Sequence, residues 1–190
     1  MSLEHILLGM LHEPASGYDL KAAFNEGARH FWSAELSQIY PTLQKMQRRG
    51  WLRSRRVPSQ RGPARRVYRR TPRGDEQLRA WLATDPIMGT ERFAYIGQLI
   101  FMSELRDLAA TERFVRQLRD RLRDFQQLLE AAEAGLRATH PDFPHDLADH
   151  EFHELLSLRI GIRSLRAKVN ACEENLEMIR SHTAKEATHA

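Results

Sequence analysis

Between Glu35 and Asp75 the chain contains no acidic residue, although that stretch holds eleven arginines and one lysine. Carboxylates of the same segment therefore cannot neutralise those cations. Cysteine is nearly absent: Cys172 stands alone, which excludes an intramolecular disulfide framework and fits a reducing, cytoplasmic compartment. No apolar run approaches the roughly 20 residues that a membrane-spanning helix requires. The opening MSLEHILLGML is apolar but lacks a basic leader and carries Glu4 and His5, so it reads as a helix rather than a signal peptide. Catalytic signatures are missing too. With no glycine-rich phosphate loop, no Gly-x-Ser-x-Gly elbow and no Cys/His pairing in a plausible frame, we expect neither an enzyme nor a cofactor.

Lysine is scarce beside arginine, 4 against 25. Genomic base composition can explain which cation is used, but not why the anions are missing from one segment. The cations there are Lys45, Arg48, Arg49, Arg53, Arg55, Arg56, Arg61, Arg65, Arg66, Arg69, Arg70 and Arg73. Most crowd a stretch punctuated by Pro58, Gly62 and Pro63, just after a helix-like run that ends at Gly50. Residues 1–84 carry 15 Lys+Arg against 7 Asp+Glu, a formal +8, whereas residues 85–190 carry 14 against 18, a formal −4. One basic and one acidic half suggest two units with different partners. A merely solvated basic face is the plain reading of the first half. A surface laid against phosphates, releasing their counterions, is the functional one.

Leu3, Ile6, Leu7, Met10 and Leu11 recur at helical spacing until Pro14. Ser16 can cap a second helix running to about Asn25, with Gly27 beyond its end. After Phe31-Trp32, a third helix extends to Arg49 and stops at Gly50. Three short helices with glycine-marked joints are the skeleton of a helix-turn-helix domain. At about 100° per residue, Leu36, Ile39, Leu43 and Met46 share the packed side of the third helix. Ser37, Pro41, Gln44, Lys45 and Arg48 lie opposite, flanked by Gln38, Tyr40 and Thr42. Pro41 is harmless in a first turn and costly beyond it, so the helix is expected to begin close to Ser37. That puts Ser37 and Gln38 at the tip, where Gln can pair with adenine and, further along, Lys45 with guanine. Ordinary solvated polar residues would look the same in isolation.

The following segment weighs against that plain reading. Trp51–Val57 and Arg65–Thr71 are short candidate strands, joined by a proline- and glycine-broken basic tip. They make a wing able to follow a phosphate backbone. Thr71-Pro72-Arg73-Gly74 reads as a turn, followed by a helix from Asp75 to about Thr84 that buries Leu78, Trp81 and Leu82.

The segments His5–Leu11, Ser16-Gly17-Tyr18-Asp19-Leu20, Phe31-Trp32-Ser33, Ser37-Gln38-Ile39-Tyr40-Pro41-Thr42-Leu43, Gly50-Trp51-Leu52 and Arg65–Gly74 occur in a fixed order and spacing. In these the chain resembles the PadR-like transcriptional regulators, the Gln-Ile-Tyr-Pro and Tyr-Arg-x-Thr-Pro-x-Gly elements being the specific ones. The resemblance implies a winged helix-turn-helix that binds operator DNA as a dimer, with the helix over Ser37–Arg49 in the groove. It also makes a small aromatic effector, such as a phenolic acid, or another hydrophobic compound plausible. Two positions depart from the family's habit: Arg70 stands where leucine is common, and Met46-Gln47 where Leu-Glu is. Arg70 either adds a phosphate contact or leaves the wing less well packed.

Asp85–Thr90 reads as a linker. Helices are expected over about Glu91–Leu108, Thr111–Ala138, with Thr111 as its cap, and His150–Ser181. In the last, Leu155, Leu158, Ile162, Leu165, Val169, Cys172, Leu176 and Ile179 step alternately by three and four, a heptad seam. Phe114, Leu118, Leu122, Phe125, Leu129, Ala132 and Leu136 form a similar stripe before it. The two could pair within one chain. However, the helix bearing Phe93, Ile96, Leu99, Ile100 and Phe101 also needs a cover, and a second protomer supplies one. Cys172 on the seam acts as a small hydrophobe. His140, His145, His150 and His153 gather among acidic residues, and His150 and His153 share a helix face. A metal-responsive sensor is the alternative this cluster suggests. Solvated caps and loops are the plainer one, and no metal is expected.

The expectation is a mainly α protein: a winged helix-turn-helix with a two-stranded basic wing over 1–84, a linker over 85–92 and an all-helical dimerisation domain over 93–190. DNA contacts are assigned to Tyr18, Ser37, Gln38, Tyr40, Thr42, Lys45, Arg48, Arg61, Arg65 and Arg66. Dimer contacts are assigned to Phe93, Leu99, Leu158, Ile162, Leu165, Val169, Cys172 and Leu176. The partners are duplex operator DNA, a second copy and an effector for which Met88, Phe93, Tyr95, Phe101 and Met102 could line a pocket. A protein-recruiting interaction module, with DNA binding secondary, is a further alternative.

Overall fold

The computed structural model describes residues 3–26, 34–59, 62–86 and 93–189, in two compact units, residues 1–90 and 91–190. In the first unit, α1 (Leu3–Met10) leads through Pro14 into a two-residue strand, β1 (Ala15–Ser16), and then α2 (Gly17–Glu26). The start of α2 is fixed reciprocally. The Ser16 Oγ accepts from the Asp19 N–H at 3.2 Å, and an Asp19 carboxylate oxygen accepts from the Ser16 N–H at 2.8 Å. Gly27 and Phe31-Trp32 lie outside the described residues.

The third helix, α3, runs Leu36–Arg48 with Glu35 as its cap. Its far end closes in a Schellman motif: Gly50 takes a left-handed φ of 75°, its N–H donates to Gln47 O at 3.0 Å, and the Trp51 N–H donates to Met46 O at 3.0 Å. Pro41 is the sixth helical residue and not part of the first turn as expected. The carbonyl it leaves without a helical donor is that of Ser37. Both residues are exposed, so solvent can satisfy it there.

β2 (Leu52–Ser59) and β3 (Gly62–Arg70) form the wing, and β1 pairs with the other edge of β3, giving the order β1-β3-β2. The two-residue strand was not legible in sequence, because its length carries no alternation. Leu52 pairs with Arg70, Ser54 with Tyr68 and Arg56 with Arg66. One core gathers Ile6, Leu7, Leu8 and Leu11 of α1, Leu20 and Phe24 of α2, Ile39, Leu43 and Met46 of α3, and Leu52 and Tyr68 of the sheet.

The last helix of this unit, α4, begins at Pro72 and extends to Leu82. The expected turn Thr71–Gly74 is therefore its first turn. Proline fits the first helical position, where its missing N–H costs nothing. Thr71 caps the helix by accepting from the Gly74 N–H at 3.1 Å, while its hydroxyl lies 2.7 Å from Gly50 O and 3.1 Å from Trp51 O. Gly74 has to be glycine, since a Cβ there would sit 2.2 Å from the Trp51 carbonyl oxygen. Leu78 and Trp81 pack on the core, but Leu82 is exposed, a correction to the expected burial.

The second unit holds α5 (Ala94–Ile100), a 3₁₀ turn (Met102–Leu105), α6 (Leu108–Thr139) and α7 (Asp149–His189). The first expected helix is shorter than its apolar pattern: α5 stops at Ile100, and the 3₁₀ turn after it ends at Arg106, which takes a left-handed φ of 49°. Asp107, rather than Thr111, caps α6, accepting from the Ala110 N–H at 3.0 Å. The α7 seam meets the chain's own α6. Leu158, Ile162 and Leu165 pack with Leu122, Phe125, Leu129 and Leu136, and Cys172 and Leu176 pack with Val115, Phe114, Leu118 and Leu99. Val169 is buried between the two clusters in sequence. Burial also raises the Cys172 thiol pKa above its ordinary value, as suits a structural hydrophobe.

All three tryptophans, 32, 51 and 81, fall in the first unit, so intrinsic fluorescence reports that unit. Thr71→Val should lower the stability of its unfolding transition by about 1–2 kcal/mol, through loss of a helix cap and a buried hydroxyl bond. Urea denaturation followed at tryptophan tests this, and an unchanged midpoint would contradict it.

Candidate nucleic-acid interface

With Ile39, Leu43 and Met46 at 0% exposure, α3 is rotationally locked. Its outward side then follows from helix geometry. Ser37, Tyr40, Gln44, Gln47 and Arg48 are all exposed. Ser54 Oγ reaches Gln47 Oε1 at 3.3 Å, which fixes the wing beside this flank of α3. Alternation along the strands then places Arg56 and its partner Arg66 on the same face of the ribbon as Ser54, beyond the core and beside α3. Tyr40, 40% exposed, lies over the start of α2, where a Cβ on Gly17 would meet its ring at 2.5 Å. Tyr18, 70% exposed, stands on the same first turn of α2.

The predicted contacts divide accordingly. Tyr18, Ser37, Tyr40, Arg48 and Arg66 are exposed. Gln38 is also exposed, but its Oε1 accepts from the Glu35 N–H at 3.1 Å, which leaves its NH₂ group to donate outward. Thr42 is turned inward along the helix, donating to Gln38 O at 2.7 Å. Lys45 is drawn to the α1 flank, where its ammonium and the Arg49 guanidinium share Glu4 at 2.8 and 3.0 Å. Here the structure departs from the expected groove contact, because a half-buried carboxylate on α1 competes for the charge. Arg65 lies 3.5 Å from Asp19. The Ser16 backbone N–H, more than its hydroxyl or Arg65, holds the Asp19 carboxyl below its ordinary pKa. Arg61 lies outside the described residues.

Sequence reading passed over Gln47 and Arg56, which strand register and the Ser54 contact bring to the site. Arg70 is engaged within the unit. Its Nε pairs with Asp75 at 2.9 Å and its Nη1 donates to Leu8 O at 3.1 Å, tying the wing's base to α1 and α4.

A model of the transcriptional regulator PadR-like family matches residues 6–80. The negative transcriptional regulator PadR of Bacillus subtilis is 33% identical over 153 residues, covering 76% of this chain and 84% of its own. This chain belongs to the PadR-like family of transcriptional regulators. The crystal structure of Bacillus subtilis PadR in complex with operator DNA superposes with a TM-score of 0.74 at 26% identity, covering 93% of this chain and 98% of that one. The structure of the same regulator with p-coumaric acid gives 0.68 at 26% identity, covering 94% of this chain and 95% of that one. In this family member the wing carries directly opposed like charges, Arg53 against Arg69 and Arg56 against Arg66.

In the second unit, His140 Nε2 lies 3.3 Å from Glu151, and His153 Nδ1 lies 2.6 Å from Asp149 O. His145 and His150 are exposed. Among the described residues no three His, Cys, Asp or Glu side chains come together as a metal would need. The metal-sensor alternative has no geometry to support it.

Opposed arginines are destabilising by some tenths of a kcal/mol, and salt screens the repulsion. Arg53→Gln should therefore raise the stability of the first unit by about 0.2–1 kcal/mol at low ionic strength, and the gain should shrink in high salt. Urea titrations at two salt concentrations test this; a loss of stability at low salt would refute it.

Proposed function

We propose that this regulator is a sequence-specific DNA-binding repressor that acts as a dimer on a palindromic operator and responds to a small aromatic effector. The observation that carries the DNA reading is the shared side of the α3 outward face and the Arg56–Arg66 end of the wing. A helix in the major groove and a basic ribbon over the adjoining backbone need that arrangement. Ser37, Gln38, Tyr40, Gln44 and Arg48 face base edges and adjoining phosphates, and Arg56 and Arg66 hold the backbone. Repression is the sign suggested by the relative named as a negative regulator.

Dimerisation follows from the two-fold symmetry of palindromic half-sites. The α7 seam is covered within the chain, so the second copy must use other surfaces. The second unit exposes Ile96, Ile100, Phe101 and Leu105 near its start and Phe152, Leu156 and Ile160 along one side of α7. An aromatic effector is supported by the structure of the Bacillus subtilis relative with p-coumaric acid. In this chain Phe93 and Tyr95 lie 5.5 Å apart, and the Lys168 ammonium stands 4.2 Å from the Phe93 ring centroid, a setting suited to an aromatic carboxylate. Phe101 is exposed and Met102 half-buried; Met88 lies outside the described residues. Bound effector would change the spacing of the two recognition helices and so lower operator affinity.

Gln38→Glu keeps the oxygen that receives the Glu35 N–H but removes the amide donors. Its selectivity for the DNA upstream of its own gene over scrambled duplex should fall about 10–100-fold, the equivalent of one bidentate base contact, with folding intact. Arg66→Ala should weaken both duplexes alike and reduce the slope of log affinity against log salt by about one. Fluorescence anisotropy across a salt series reads both. Wild-type binding that does not distinguish the two duplexes would count against this operator. A stable monomer in sedimentation at micromolar concentration would remove the dimer.

A further inference from the structure

The wing's arginines occupy two opposite faces of one ribbon, and a single phosphate backbone can meet only one of them. Arg56 and Arg66 are on the α3 side, with Ser54, Leu52 and Tyr68. Arg53, Arg55, Arg65 and Arg69 alternate with these residues and so face the other way, Arg65 being paired with Asp19. Arg53 and Arg69 are directly paired across the strands, and Arg55 follows Arg53 by two residues on the same face, opposite Val67. All three are exposed and, among the described residues, none makes an ion pair. They do not lie on a flat surface. Together with Pro14 and Val67, and with Ser54 and Tyr68 between them along the strands, they line a depression of about 400 Å³. Nothing in the groove reading uses this face.

We propose that this outer depression is a second phosphoryl-binding site, in which Arg53, Arg55 and Arg69 hold a di- or polyphosphate group apart from the α3 seat. Guanidinium forks match phosphoryl oxygens in pairs. Three of them held together without a counter-carboxylate form an arrangement whose mutual repulsion a multivalent anion relieves. A free polyphosphate and the backbone of a second nucleic-acid duplex share this chemistry. The proposal stands on strand register and the depression, and does not depend on operator recognition by α3.

The test uses the full-length protein as wild type, as R53Q/R55Q/R69Q and as R56Q/R66Q, each checked for folding by tryptophan fluorescence. Inorganic pyrophosphate is titrated by calorimetry at constant ionic strength, with sulfate as the control. Energy transfer between donor- and acceptor-labelled random duplexes then reports whether one protein holds two segments. We expect R53Q/R55Q/R69Q to lose at least tenfold in pyrophosphate affinity while R56Q/R66Q keeps it, or to lose bridging while still holding a single duplex, whereas R56Q/R66Q weakens the hold on a single duplex. Pyrophosphate binding lost without any bridging assigns the site to free polyphosphate. Bridging lost without pyrophosphate binding assigns it to nucleic acid. Equal loss of pyrophosphate affinity in the two variants, loss of single-duplex binding by the outer-face variant, wild-type behaviour of that variant, or absence of both properties from the wild type overturns the proposal. If the wild type binds no duplex yet binds pyrophosphate through the outer arginines, the operator reading fails and this one survives.

Discussion

The DNA-binding unit depends on the burial of one side of α3. Ile39, Leu43 and Met46 are inaccessible to solvent and touch a core to which α1, α2 and the sheet all contribute. Each such side chain contributes about 1.5–3 kcal/mol on burial, enough to fix the helix rotation against the small preferences of its polar face. Once that rotation is set, the direction of every outward side chain follows. The two ends are fastened separately, by Glu35 and Gln38 at the start and by the left-handed Gly50 at the finish. The Gly50–Trp51 backbone then receives the Thr71 hydroxyl, so the end of the recognition helix and the start of α4 are held as one joint.

Electrostatics on this frame works by selective neutralisation. Glu4 takes Lys45 and Arg49, Asp19 takes Arg65, and Asp75 takes Arg70. These carboxylates come from α1, α2 and α4, outside the acid-free segment. They quiet the cations at the back and flanks of the unit. Arg48, Arg53, Arg55, Arg56, Arg66 and Arg69 stay exposed on the helix and the ribbon. The opposed arginine pairs cost some stability in the free protein, and bound phosphates would recover it.

The second unit solves a different problem. Two long helices bury their seams against each other, and Arg123–Glu173, Arg159–Glu133, Arg166–Glu130 and Arg180–Glu112 pairs flank the contact. Such exposed pairs add little energy but favour one register of the hairpin over its neighbours. Ile96 and Ile100 on α5 and Phe152, Leu156 and Ile160 on α7 stay exposed, and they are the surface offered to the proposed second copy.

Much of this was legible from residue order alone. The amphipathic period of α3, the Ser16 and Gly50 boundaries, the acid-free basic wing and the heptad seam are local patterns, and local backbone physics reads them without any fold. The family likewise rests on short motifs of fixed spacing. Tertiary structure decided the partner of each group. Whether the α7 seam faced α6 or a second chain is a matter of which apolar surface reaches it first, and periodicity does not carry that information. Glu4 and Lys45 are forty-one positions apart, and Arg70 and Leu8 sixty-two, so no sequence window couples them. The division of the wing arginines between two faces likewise depends on strand register, which is set by where Leu52 and Tyr68 are buried. Sequence by itself determined the long helices, the wing, the charge and the family. The fold decided which cations stay free, because pairing is a property of distance in space and not of position along the chain.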